Sequence, residues 1–147
     1  MPGQMSKKWF MILFFGCFGM TSEIFFVALT HAVNGEGIYN EPVWSLTGKT
    51  YVWMFPIYTL IPLIAGPLFQ KVGSLHAILR VLIYTTLIFT VEFTSGFLLD
   101  QLTGKCPWEY TTGWHVMGYI RLDFTPAWMF FSFIVEWLYK LIDRRFI

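Results

Sequence analysis

Charge is what this chain has least of. Asp, Glu, Lys and Arg together make up 13% of it, where a soluble domain carries about 25%. The few charges nearly cancel, to a net +1, which leaves no basic footprint for nucleic acid. Cysteine is scarce too. Cys17 lies in an apolar run and Cys106 in a polar loop, so no disulfide framework forms and both are expected to be free thiols. The chain has no Cys-x-x-Cys or His-x-x-x-His pair and no Glu-x-x-His, which argues against a zinc site and against the carboxylate-bridged metal pair of helix bundles. A phosphate loop and a Gly-x-Ser-x-Gly elbow are also missing, so neither nucleotide hydrolysis nor the usual serine hydrolase chemistry is expected. No metal or cofactor is expected.

What fills the chain instead is apolar. Hydrophobic residues make up 56% and aromatics 20%, with seven Trp, a composition suited to two membrane–water interfaces where amphipathic rings collect. The 147 residues predict one all-α integral membrane domain with four transmembrane helices. The spans fall at about 9–33, 52–69, 77–99 and 125–142, the first long enough to cross a bilayer with some tilt. The first apolar run follows Lys7 and Lys8 and so competes with a signal peptide. Its continuation well past Cys17 predicts an uncleaved helix. Pro56, Pro62 and Pro67 fall in the second span, which is therefore expected to be kinked.

Between spans the chain is polar: Asn34–Thr50 with Gly35, Gly37, Pro42 and Gly48, a short basic turn near Lys71, and a long loop from Asp100 to Phe124. Lys7, Lys8, Lys71, Arg80, Lys140, Arg144 and Arg145 lie on one side, and Lys49, Lys105 and Arg121 on the other. The positive-inside rule then predicts cytoplasmic termini, an outward-facing 100–124 loop and a cell-membrane location. Two short matches suggest an internal repeat: Thr21-Ser22-Glu23 with Thr90-Val91-Glu92, and Trp53-Met54-Phe55 with Trp128-Met129-Phe130. Two helical hairpins in the same orientation would be related by an axis along the membrane normal.

Within these apolar runs stand Glu23, Glu92 and Glu136. An ionisable group inside a span is costly and reads by default as a functional site. At helical rise Glu23 lies about 15 Å from Val33, Glu92 about 12 Å from Asp100 and Glu136 about 16 Å from Thr125, which predicts one common depth. Acids converging there would raise one another's pKa and leave at least one protonated. The alternative is that each is a neutral acid satisfied by a hydroxyl or carbonyl on a neighbouring helix. A second concentration lies in the outer loop: Trp108, Glu109, Tyr110, Trp114, His115, Arg121 and Asp123. Trp114 and Tyr119 suit interfacial anchors. Trp108, Glu109, Tyr110, Arg121 and Asp123 are the candidates to line the mouth of a cavity floored by the glutamates.

These landmarks come in a recognisable order. A helix with a mid-span Glu is followed by Val91-Glu92-Phe93-Thr94-Ser95-Gly96-Phe97-Leu98-Leu99-Asp100, then Cys106-Pro107-Trp108-Glu109-Tyr110, then Gly118-Tyr119-Ile120-Arg121-Leu122-Asp123-Phe124, and a last helix holding Glu136. Over nearly its whole length the chain resembles the ABC-transporter type IV family, which includes vertebrate transmembrane protein 229. That family's usual pattern reads Trp-Glu-Phe-Thr-Thr-Gly and Cys-Pro-Trp-Asp-Tyr. Val91, Ser95 and Glu109 are this chain's mild departures from it.

The resemblance implies a transporter permease and carries over no substrate or catalytic residue. The short 70–74 turn offers an ATPase little surface, so a permease of this size would work as a homo-oligomer or with a partner subunit. Two classes of function stand. One is a small permease whose mid-membrane carboxylates take a cation, a proton or a polar substrate. The other is a membrane-embedded enzyme acting on a lipid, with Glu92 and a partner as acid and base. A purely structural subunit is the remaining reading.

Overall fold

The computed structural model describes residues 6–34 and 45–145. Gly35, Gly37 and Pro42, expected as turn residues, lie outside that set. Five helices follow in order: α1 (Lys7–Asn34), α2 (Met54–Thr59), α3 (Ile61–Val72), α4 (Ala77–Thr103) and α5 (Thr125–Arg145). Between α4 and α5 a short antiparallel pair forms, β1 (His115–Val116) and β2 (Ile120–Arg121), followed by a 3-10 turn at Leu122–Phe124.

The long helices form where the apolar runs predict them, with ends within four residues of the expected bounds. Among the described residues three stretches are long and apolar enough to cross a membrane: Lys7–Val33, Met54–Val72 and Ala77–Thr103. The fourth expected span, on α5, does not reach that standard. Its sequence carries Glu136 and Lys140 and ends on Asp143-Arg144-Arg145, so its polar share is the highest of the long helices.

In the second stretch the expected kink is a break at Leu60, between α2 and α3. The amides of Leu60 and Leu63 tighten to carbonyls three residues back, Ile57 and Leu60, at 3.1 and 3.0 Å. Pro62 lacks an amide, and its ring would meet the Tyr58 carbonyl of a regular helix. Thr59 donates to the Pro56 carbonyl at 2.6 Å and so satisfies part of the freed backbone.

The chain divides into two compact units at Leu63/Ile64. In the first, α1 packs on α2. Gly16 and Gly19 of α1 lie against Phe55, Thr59 and the Tyr58 ring, with no room for a side chain. In the second unit α4 packs on α5. Phe69 of α3 stacks edge-on against Tyr84 of α4 at 4.9 Å and Tyr139 of α5 at 5.2 Å. The buried stripe of α4 is Val81, Tyr84, Thr85, Glu92 and Gly96, a helical spacing that puts Glu92 on the packing face. The outward faces are apolar. On α5 they show Phe130, Phe133, Trp137 and Leu141, and on α4 Ile78, Leu82, Phe97 and Leu98. Such apolar stripes on the outside suit a lipid solvent and not water.

Candidate functional site

The best-built polar constellation lies on the carboxyl-terminal half of α4. Glu92, Gly96 and Asp100 follow at intervals of four residues and so share one helix face. α4 ends at Gly104, whose φ of +75° accepts the left-handed cap, with its amide bonding the Asp100 carbonyl at 2.8 Å. That cap turns the chain sharply, and residues 106–121 fold back along the face just described.

Gly96 is what admits them. A Cβ there would lie 3.3 Å from Trp108 Cζ2, 3.3 Å from Tyr119 Cβ and 3.4 Å from Cys106 Sγ. Cys106, Trp108, Tyr119 and Ile120 are all buried. The Trp108 indole donates to the Tyr119 carbonyl at 3.2 Å, and the Tyr119 ring meets Phe93 and Phe97 edge-on at 5.4 and 6.1 Å. The Tyr119 hydroxyl donates to Asp100 Oδ2 at 2.8 Å, and this bond raises its pKa above the usual 10.0. Met117 and Gly118 both have positive φ, 53° and 77°, the conformation of a primed hairpin turn.

Glu92 sits beneath this loop, 8% exposed. The Tyr110 hydroxyl donates to Glu92 Oε1 at 2.9 Å. Tyr110 is itself held by its amide to the Gly118 carbonyl at 2.9 Å and by its ring against Phe124 at 5.9 Å. Arg121 and Asp123 pair beside Phe124, with the Arg121 Nη2 donating to Asp123 Oδ2 at 2.7 Å. The guanidinium holds the Asp123 carboxyl below the ordinary carboxylate range and stands 4.2 Å over the Phe124 ring. Of the expected loop residues, Trp108, Tyr110, Arg121 and Asp123 therefore belong to this assembly. Glu109 is exposed beside Gly118.

Glu136 is elsewhere. Its carboxylate takes Arg80 Nε at 3.2 Å and the Lys140 ammonium one turn along α5. Tyr84 lies beside the same pair. Arg80 precedes Glu92 on α4 by about three turns, some 18 Å at helical rise. The expectation of a common depth is thus corrected for Glu92 and Glu136. The estimate from helix ends fails because α4 runs on to Thr103 and α5 starts well below that end. Glu136 also has cationic partners from within the helices, Arg80 and Lys140, and so centres an ion-pair cluster. In the first unit Glu23 accepts from the Tyr58 hydroxyl at 3.3 Å and has Thr50 beside it.

Both cysteines are free, as expected. Cys106 is buried and Cys17 exposed, because the loop packs on Gly96 while Cys17 points outward from α1. Burial raises the Cys106 thiol above its ordinary 9.0, with Asp100, Glu109 and Glu92 adding to the shift. Among the described residues no group of three or more His, Cys, Asp or Glu is placed to hold a metal ion.

Gly96 and Cys106 were legible as residues yet given no place in the site from sequence, and Tyr119 was read as an interfacial anchor. The four-residue spacing from Glu92 through Gly96 to Asp100 was the available signal. No protein-family model matches the chain, and no solved structure matches it.

Proposed function

We propose that this protein is a small multi-pass permease-type membrane protein in which Glu92 binds and releases a proton or a small cation beneath a lid formed by the loop between α4 and α5. In this reading α1, α2–α3, α4 and α5 all cross the cell membrane, both termini are cytoplasmic and the lid faces outward. The two hairpins α1–α2/α3 and α4–α5 are repeats of one unit. A chain of 147 residues acts as a homo-oligomer or beside a partner subunit. The likeness of the Glu92–Tyr110 stretch to the ABC-transporter type IV family belongs to the same proposal.

The observation that carries it is the Tyr110–Glu92 hydrogen bond. Glu136, by comparison, is held by Arg80 and Lys140 on the helices themselves. Glu92 takes a hydroxyl from a loop that approaches from one side of the membrane. Loops open more readily than packed helices, so the carboxylate has a route to that side. A lipid enzyme using Glu92 with Glu136 as acid and base is disfavoured by the three helical turns between them.

Reconstituted protein in liposomes containing a pH-sensitive dye tests the reading. An imposed gradient of monovalent cation or of protons should dissipate faster than in empty liposomes. Equal rates across a panel of cations and protons would count against a permease.

A further inference from the structure

We infer that the segment between α4 and α5 is a re-entrant hairpin seated in the outer half of the bilayer, with Trp114, Val116 and Met117 in contact with lipid. The inference deepens the proposed function, and it rests on that reading in taking α4 and α5 as membrane-crossing with cytoplasmic termini.

Levels along α4 carry the argument. At the cytoplasmic end, Arg80, Glu136 and Lys140 form an ion cluster, and the Arg80 guanidinium also reaches back to the Leu75 carbonyl at 2.9 Å in the polar turn before the helix. That marks one edge of the apolar layer. From Arg80 to Asp100 is about 30 Å at helical rise, which equals the roughly 30 Å of a hydrocarbon core. Glu92 is the one acidic or basic residue on α4 between those two. Asp100 marks the other edge.

α5 does not fill that thickness. From the ion cluster at Glu136 to its start at Thr125 it rises about 16 Å, which brings Thr125 only to the level of Glu92 and Phe93. A side-chain contact checks this level: Tyr110 touches Phe124 at the head of α5 and Glu92 on α4 together. The remaining outer part of the layer, from Phe93 to Asp100, is occupied beside α4 by the hairpin. Tyr119 packs on Phe93 and Phe97 and bonds Asp100.

Irregular backbone is tolerated at membrane depth where it is covered by protein or paired with itself. Here β1 pairs with β2, Tyr110 bonds Gly118, and the charges of Arg121 and Asp123 are paired with each other. The outward side chains mix apolar and polar groups: Trp114 is 78% and Met117 68% exposed, with Glu109, Thr111, Thr112 and His115 exposed beside them. Such a mixture suits the boundary of a leaflet, where Trp and Met meet the acyl and glycerol region and the polar groups reach the headgroups.

The first unit repeats the device independently. After α1, the segment 45–50 also returns along its helix: Gly48 lies against the Ile24 carbonyl and Thr50 beside Glu23. Ile24 is about 15 Å of helix short of the α1 terminus.

Spin labels at M117C and W114C, placed in a Cys17→Ala, Cys106→Ala background in liposomes, test the inference, with K105C as the aqueous reference. Collision with oxygen should exceed collision with a water-soluble nickel chelate several-fold at 114 and 117, and the order should reverse at 105. Water-like accessibility at both hairpin positions would overturn it. Should the cysteine-free background not fold, bromolipid quenching of wild type against W114F gives the same depth: a Trp114 contribution quenched by shallow bromine supports the inference, and an unquenched one overturns it. Depth and flux separate the two claims. A water-exposed hairpin with flux intact would sink this inference alone, and a lipid-seated hairpin without flux would sink the proposed function alone.

Discussion

Tyr110 and Glu92, eighteen residues apart in sequence, are joined by one hydrogen bond that ties the loop to the helix. Tyr110→Phe removes the donor while keeping the ring on Phe124. Losing a partner of a buried polar group costs about 1–3 kcal/mol, so the melting temperature of the purified protein should fall modestly and insertion should be unaffected. The loop's titrating pairs give a pH window. Asp123 is held low by Arg121, so its contribution is present above the ordinary 3.8 and fades as pH falls through the depressed value. Tyr119 is held high by Asp100, so its contribution is present below 10.0 and fades as pH rises through the raised value. Near-UV circular dichroism should therefore stay flat between those limits and change outside them. Cys106 adds a chemical reporter. Its buried thiol should resist an impermeant maleimide at neutral pH until the loop is displaced.

At the scale of elements, the decisive fit is a hairpin on a glycine. Gly96→Ala needs its neighbours to shift only slightly, while Gly96→Leu drives a side chain into Trp108, Tyr119 and Cys106. Overpacking of that kind costs about 1–3 kcal/mol, and the leucine variant should expose Cys106 to maleimide where the alanine variant does not. At the other end of α4, Glu136 ties α4 to α5. Glu136→Gln leaves Arg80, only 18% exposed, without its countercharge. Breaking a buried pair costs about 3–5 kcal/mol, so this variant should lower the melting temperature more than Tyr110→Phe.

The helices were readable because apolar runs of that length have few other solutions. The glutamates were readable because a charge inside such a run stands out. Their levels were not. Depth counted from a helix end assumes that ends align, and α4 outlasts α5 at its carboxyl-terminal end by about ten residues, some 15 Å. The returning hairpin was hidden for another reason. Its turn is Met117-Gly118, a weaker signal than Asn-Gly, and its strands are two residues each.

For the whole molecule, two similar solutions to one problem appear in the two units. Each contains a long helix, of 28 and 27 residues, followed by a segment that folds back toward its glutamate. Each glutamate then takes a tyrosine hydroxyl, Tyr58 for Glu23 and Tyr110 for Glu92. The source of that hydroxyl differs. Tyr58 lies on α2, a packed helix, while Tyr110 lies on the loop. Displacing the loop removes Tyr110 from Glu92 while leaving the α1–α2 contact of Glu23 in place, which makes Glu92 the carboxylate suited to exchange. Glu23→Gln should accordingly reduce flux less than Glu92→Gln when both are compared in the same liposomes.

The most direct measurement is flux through a Glu92→Gln variant. Glutamine keeps the size of the side chain and can still accept from Tyr110, so the fold and the lid should persist, while the exchangeable proton is lost. In liposomes matched for protein content and melting temperature, the account predicts that gradient dissipation falls to the rate of empty liposomes. A Glu92→Gln protein that is equally stable and dissipates the gradient at the wild-type rate would contradict it.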